Sequence, residues 1–321
     1  MRVIFMGTPK YAVPFLQSLL DMGEDIVGVV TMPDKPVGRK QEIQEPPVKV
    51  LAQKKNIPVF QPVKINETSS LAALKSLNPD LAIVVGFGQI LSQKLLDLPK
   101  QGTINVHFSL LPKYRGASPI QAAIIKGEEK TGISTMFLVR KLDSGPVLLQ
   151  REVPIEQKDT TVTLTEKLTK AGVEVLQETI ALIRQGKAEA KPQDESQSSY
   201  AALLVKESGL IDWQKNSREL YNFVRGMYPW PGAFTFYEHG GRKHMLKIWE
   251  AEEIPRIELN HKTAANGTIL EILKNHGFAV KCEQGGLLLT RVQSEGGKVM
   301  PAYNFVIGHH LKKGDVLGTL K

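Results

Sequence analysis

Asn105 and His107 stand two apart in the run GTINVHFSLLP, and Asp143 lies downstream in the turn LDSG. In a β-strand, residues two apart face the same way, so the carboxamide and the imidazole project together near the end of the run from Thr103 to Phe108. A carboxamide can donate to a developing negative charge, an imidazole titrates near neutral pH and can move a proton, and a carboxylate can orient that imidazole. Taken singly, each residue has an ordinary explanation. A histidine in an apolar strand is commonly a core residue, and Asp with Gly is common turn chemistry. The weight comes from convergence: Asp143 directly follows the run Ile133 to Val139, so all three can reach one strand-end crevice.

The elements that must position them read as an α/β domain. Apolar runs at Val3 to Met6, Ile26 to Thr31, Leu81 to Gly86, Thr103 to Phe108 and Ile133 to Val139 predict strands. Helical spacing covers Val13 to Leu20, Val48 to Lys54, Ser69 to Leu77 and Ser118 to Ile125, the last with Ser118 and Pro119 as start signals and Gly127 as its stop. Strand alternating with helix predicts a doubly wound, mostly parallel sheet, which binds ligands at the C-terminal strand ends. A long helix from Thr161 to Arg184 closes this domain. The polar run KPQDESQSS then has the composition of a solvated connector. We expect a first domain at 1–188, a linker at 189–206 and a second domain at 207–321. Beyond the linker, short β-type runs at Ala233 to Tyr237, Met245 to Glu250, Thr268 to Leu273, Ala279 to Cys282 and Leu287 to Val292 suggest a small barrel of OB type.

At 321 residues and 42% hydrophobic content the chain can bury a full core, which excludes a long disordered protein. Its single cysteine, Cys282, excludes an intrachain disulfide, and no His/Cys spacing suggests a metal, so the cytoplasm is the expected compartment. The N-terminus turns to Gly and Pro after a few apolar positions, unlike a secretion signal. Nothing approaches the roughly 20 apolar residues of a membrane span, so a soluble protein is expected. The net charge of +8 divides evenly about Lys206, which leaves no single basic patch to mark a nucleic-acid face.

Asn105-x-His107 followed by Ser-Leu-Leu-Pro-x-Tyr-Arg-Gly, with Leu-Asp-x-Gly downstream, resembles the signature of the folate-dependent formyltransferases. The resemblance extends through Met6-Gly7-Thr8-Pro9 and through Phe87-Gly88-Gln89-Ile90-Leu91, and so covers most of the first domain. It implies a Rossmann-like domain with 10-formyltetrahydrofolate as co-substrate and no metal. Phe87, Gly88, Gln89, Ile90 and Leu91 would hold the pterin, and Ser109, Leu110, Leu111 and Pro112 would line the neighbouring folate wall. Asn105 would steady the oxyanion of the transfer, His107 would share that oxygen or relay the amine's proton, and Asp143 would orient His107. Phe108 departs from the pattern, where a small residue is expected; its ring could alter the pocket or enter the core. Gly7-Thr8-Pro9 is too short for a phosphate-binding loop and is either a tight turn or a substrate contact.

The acceptor must be argued elsewhere. The segment Met32 to Pro47 carries Lys35, Arg39 and Lys40 among four prolines, and it resembles the loop by which family members acting on initiator methionyl-tRNA hold the acceptor stem. A solvated surface loop is the plain alternative. Ile211-Asp212-Trp213 and the run Arg225 to Gly232 resemble the second domain of the same members. An enzyme formylating an amino sugar nucleotide and a non-enzymatic RNA-binding protein are the rival readings; Trp213, Trp230 and Trp249 are expected in the core. A monomer is the default.

Overall fold

The structure is a computed structural model that describes residues 1–37, 42–255 and 263–318. It divides into two compact units. The first comprises Met1–Pro119, Lys130–Pro154 and Thr165–Ala201; the second comprises Ile120–Glu129, Ile155–Leu164 and Ala202–Lys321.

In the first unit, β1 (Arg2–Gly7), β2 (Asp25–Val30), β5 (Val59–Phe60), β6 (Leu81–Val85), β7 (Thr103–His107), β9 (Lys130–Phe137) and β10 (Val147–Pro154) form one sheet in the order β10-β9-β7-β6-β1-β2-β5. All pairings from β5 to β7 are parallel. All five residues of β6 are buried, the continuous apolar run of a strand covered on both faces. Each fully buried Val, Leu or Ile there contributes about 1.5–3 kcal/mol. Gly28 in β2 leaves room for its neighbours: a Cβ would stand 2.8 Å from Leu77 Cδ1 and 3.0 Å from the Phe60 ring. The chain winds outward from β1 to β2 and β5, then returns to place β6 on the other side of β1. That reversal opens a crevice at the C-terminal ends of β1 and β6.

Expectation and structure part at both edges of the sheet; at one, β5 has no counterpart among the predicted runs. At the other, β9 runs antiparallel to β7, and β10, which the sequence did not announce, runs antiparallel to β9. The end of β9 therefore lies beside Ile104, not beside His107.

Helices α1 (Val13–Asp21), α2 (Pro47–Lys54), α3 (Thr68–Ser76) and α4 (Gln93–Leu96) belong to the first unit, and α5 (Pro119–Ile125) leads into the second. The long helix α6 spans Thr161–Arg184 as its spacing predicts. Gly172 lets it approach closely: a Cβ there would meet the Phe15 ring at 2.8 Å.

In the second unit, β12 (Ala233–His239) and β13 (Arg242–Ile254) are joined by Gly240-Gly241, both at positive φ, as a two-residue hairpin turn demands. β14 (Ile269–Leu273), β15 (Gly277–Lys281), β16 (Gly286–Ser294) and β17 (Met300–Pro301) complete an antiparallel sheet ordered β12-β13-β16-β15-β14, with β17 on β16. α7 (Ser217–Met227) and α8 (Ala302–Gly308) are helices that strand spacing did not foretell. A capping box, in which Asn216 accepts from Glu219 N while Glu219 accepts from Asn216 N, starts α7.

Candidate active site

Asn105 and His107 share one face of β7. The Asn105 carboxamide is half-buried and makes no hydrogen bond to any described residue. His107 is buried, and its Nε2 lies 2.9 Å from the Tyr114 carbonyl oxygen. A carbonyl only accepts, so Nε2 carries the proton and donates, which leaves Nδ1 as the reactive nitrogen. Nδ1 faces Asp143 Oδ2 at 3.8 Å, too long for a direct hydrogen bond but close enough for a strong charge interaction once the ring is protonated. Because β9 ends beside Ile104, Asp143 reaches His107 on the loop between β9 and β10, not from a neighbouring strand end. Its carboxylate accepts from Gly116 N at 2.8 Å.

The stretch after β7 is held from beneath. Ser134, opposite His107 on β9, donates to the Ser109 carbonyl at 2.6 Å and accepts from Leu111 N at 3.1 Å. Gln150 on β10 donates to the Leu111 carbonyl and to Ser134 Oγ, both at 2.8 Å. Ser109 Oγ donates to the Lys113 carbonyl at 2.6 Å, closing the turn that contains the cis Leu111–Pro112 bond. Ser109 and Leu111 are buried, while Leu110 and Pro112 are partly exposed. β8 (Arg115–Gly116) then pairs in parallel with β11 (Tyr200–Ala201).

That pairing changes the meaning of the polar run expected to be a solvated connector. Its side chains are mostly exposed, but the segment is tied into the first unit. Ser199 accepts from Tyr114 N through Oγ and from Arg115 N through its carbonyl. Arg115 is 0% exposed, and its guanidinium donates to Gln193 and Glu195. Sequence reasoning missed Ser134, Gln150, Gln193 and Glu195. The one available signal was Arg115 itself, since a buried guanidinium requires acceptors.

Phe87 to Leu91 follow β6 at the crevice. Phe87 and Leu91 are buried, Gly88 is exposed with φ of +101°, and Ile90 is 79% exposed. Gln89 secures the loop by donating to the Pro62 carbonyl at 3.1 Å and accepting from Ile65 N at 2.9 Å. Gly7 is the last residue of β1, paired with Val85 of β6, where a Cβ would lie 3.0 Å from Val85 O. Beside it Thr8 joins two loops, its hydroxyl donating to the Phe87 carbonyl at 2.8 Å and accepting from Met32 N at 3.2 Å. Phe108 enters the core, edge-on to Tyr11 and Phe15 at centroid distances of 4.9 and 6.1 Å. Burial raises the Tyr11 hydroxyl's pKa.

Within the segment Met32 to Pro47, β3 (Lys35–Val37) pairs antiparallel with β4 (Glu42–Gln44) as a short ribbon. Lys35 is exposed on it; Arg39 and Lys40 lie outside the described residues. Its base is fixed by Asp34, which pairs with Lys49 at 2.7 Å and accepts from Gln61 at 2.7 Å. Those two hydrogen bonds, Gln61 first, hold the Asp34 carboxyl below its usual pKa.

In the second unit Trp213 is buried and donates to Thr235 Oγ1 at 3.1 Å, while Trp249 is partly buried. Trp230, expected in the core, is 56% exposed. Arg225 is buried and donates to Asn222 Oδ1 and to the carbonyls of Glu156 and Asp159. Among the described residues no group of three His, Cys, Asp or Glu could hold a metal ion. No described helix is long and apolar enough to cross a membrane. A cavity of about 340 Å³ beside β5 and one of about 490 Å³ beside α7 are lined by residues other than Asn105, His107 and Asp143.

The formyl transferase family matches residues 1–180, and the formyl transferase C-terminal domain matches residues 203–310. A methionyl-tRNA formyltransferase of Geotalea uraniireducens (strain Rf4) is 44% identical over 318 residues, 99% of this chain and 98% of its own. The solved structure of WlaRD, a sugar 3N-formyl transferase in the presence of dTDP and 5-N-formyl-THF, matches with a TM-score of 0.65 and 20% identity over 90% of this chain and 96% of its own. A substituted variant of HypX from Aquifex aeolicus matches with a TM-score of 0.63 and 17% identity over 98% of this chain, which spans 48% of HypX. At such identities these two structures speak for the fold alone. The family matches and the full-length identity together mean that the chain belongs to the formyl transferase family, among its methionyl-tRNA formyltransferases.

Proposed function

We propose that the chain transfers the formyl group of 10-formyltetrahydrofolate to the amino group of methionine carried by initiator tRNA, working as a cytoplasmic monomer. The observation that carries the chemistry is the group at the end of β7: an uncommitted carboxamide, an imidazole locked by Tyr114, and a carboxylate facing its free nitrogen. The similarity to methionyl-tRNA formyltransferases along the whole chain supports the acceptor.

In the transfer, the methionine nitrogen bonds to the formyl carbon, the bond from that carbon to N10 breaks, and the proton lost by the amine is balanced by one gained at N10. Asn105 donates to the formyl oxygen as its charge grows, an interaction strengthened where water is scarce. His107 takes the amine proton on Nδ1, the nitrogen that its Tyr114 bond leaves free. Asp143 stabilises the imidazolium so formed across 3.8 Å. The loop from Phe87 to Leu91 suits a flat heterocycle, with buried Phe87 and Leu91 behind it and exposed backbone at Gly88. Ser109, Leu110, Leu111 and Pro112 flank it. We assign the segment Met32 to Pro47, with Lys35, Arg39 and Lys40, to the acceptor stem, and residues 207–321 to further tRNA contact, for which exposed Trp230 offers a stacking surface.

The test is transfer of labelled formyl from 10-formyltetrahydrofolate with charged initiator tRNA and an amino sugar nucleotide offered in parallel, and His107→Ala as control. Label on the tRNA's methionine, lost in the variant, is expected. Label on the sugar overturns the acceptor, and no transfer to either overturns the reaction.

A further inference from the structure

Asp143 adopts a φ of +46°, in the left-handed region that a residue with a Cβ seldom takes. Something must hold it there, and two contacts do so from opposite ends of the residue. Gly116 N grips the carboxylate at 2.8 Å. The side-chain amide of Gln193 grips the backbone, donating to the carbonyls of Asp143 at 2.8 Å and Gly145 at 2.7 Å. The amide's oxygen accepts from Arg115 Nε at 3.1 Å and Nη2 at 2.8 Å. All four hydrogen-bonding positions of this carboxamide are thereby filled, and its orientation is fixed, because a guanidinium can only donate.

Gln193 is itself tightly placed. Two residues earlier, Lys191 exchanges a pair of backbone hydrogen bonds with Val147, both at 2.8 Å. Two residues later, Glu195 pairs with the same guanidinium. The two grips on Asp143 are joined as well, since Arg115 precedes Gly116 in the chain. We infer that Gln193 is a positioning residue, which sets the distance and aim of the Asp143 carboxylate toward His107 Nδ1. This rests on the reading of Asp143 as the partner of the His107 imidazolium.

Gln193→Glu keeps the side chain's length and its acceptors for Arg115, but removes both donors and sets a carboxylate oxygen against two carbonyls. Steady-state kinetics and folate-binding stoichiometry on the full chain, with Asp143→Asn in parallel, test the inference. The expected result is a kcat per folate-binding site lowered by about tenfold to a hundredfold, with KM for folate and for tRNA unchanged. Wild-type kcat in Gln193→Glu, with Asp143→Asn slowed, overturns the inference alone. An unimpaired Asp143→Asn overturns the reading of Asp143 and the inference with it. Parallel loss of folate affinity and kcat makes Gln193 a general structural tie and also overturns it. If Gln193→Glu does not fold, Gln193→Met, which keeps length without polar atoms, is read against the same outcomes.

Discussion

Arg115 and Glu195 form a two-point ion pair, Nη1 to Oε2 at 3.1 Å and Nη2 to Oε1 at 2.9 Å, between residues 80 positions apart. The guanidinium is fully buried and the carboxylate half-exposed, and Lys141 Nζ adds a contact at 2.6 Å. Hydrogen bonds from Arg115, then Lys141, hold the Glu195 carboxyl down from 4.5 to about 2. A carboxyl depressed in the folded state contributes stability that is complete above its unfolded pKa and is lost as pH falls through its folded one. The contribution is therefore present above pH 4.5 and fades toward about 2. Urea-unfolding midpoints of wild type and Glu195→Gln should differ at neutral pH and converge across that window. A gap independent of pH would contradict the assignment.

Asn105→Ala should lower kcat by about 100- to 1,000-fold, the usual cost of one oxyanion donor, and leave the folate Kd unchanged. Single-turnover rates beside equilibrium folate binding separate the two. Unchanged turnover would remove Asn105 from the chemistry.

Ser134→Ala deletes a hydroxyl that links the Ser109 carbonyl, Leu111 N and Gln150. The buried Leu111 N–H is left without its acceptor, at a cost of about 1–3 kcal/mol. Stability should fall by that amount in chemical denaturation, and the folate Kd should rise as residues 109–112 relax. A folate Kd equal to wild type would separate that loop from the folate site.

The ribbon predicts a division of labour. Asp34→Ala frees its base from Lys49 and Gln61, so KM for tRNA should rise while the folate Kd stays fixed. Arg39→Ala should act in the same direction through lost phosphate contact. Equal loss of both substrates in either variant would refute the assignment of this segment to tRNA.

Phe108→Ala opens a hole against Tyr11 and Phe15 and should cost about 3–5 kcal/mol of stability. Folate affinity should be unaffected at a temperature where the variant is folded. A large change in folate affinity at full stability would put the ring in the pocket after all.

Much of this molecule was legible as local pattern. The apolar runs at Val3, Ile26, Leu81 and Thr103, alternating with stretches of helical spacing, announced the parallel strands, because a helix between two strands carries the chain back to begin the next one in the same direction. The Asn-x-His spacing put two polar groups on one strand face by the period of two. Tertiary structure alone decided the rest. Side-chain periodicity is the same for either strand direction, so nothing in Ile133 to Val139 told that β9 runs antiparallel and that Asp143 must return over a loop. Polar composition in KPQDESQSS truthfully reported exposed side chains. It carried no information on where the backbone and Gln193 would bond, since hydrogen-bond partners 50 to 80 positions away are chosen by the packed chain and not by its local sequence.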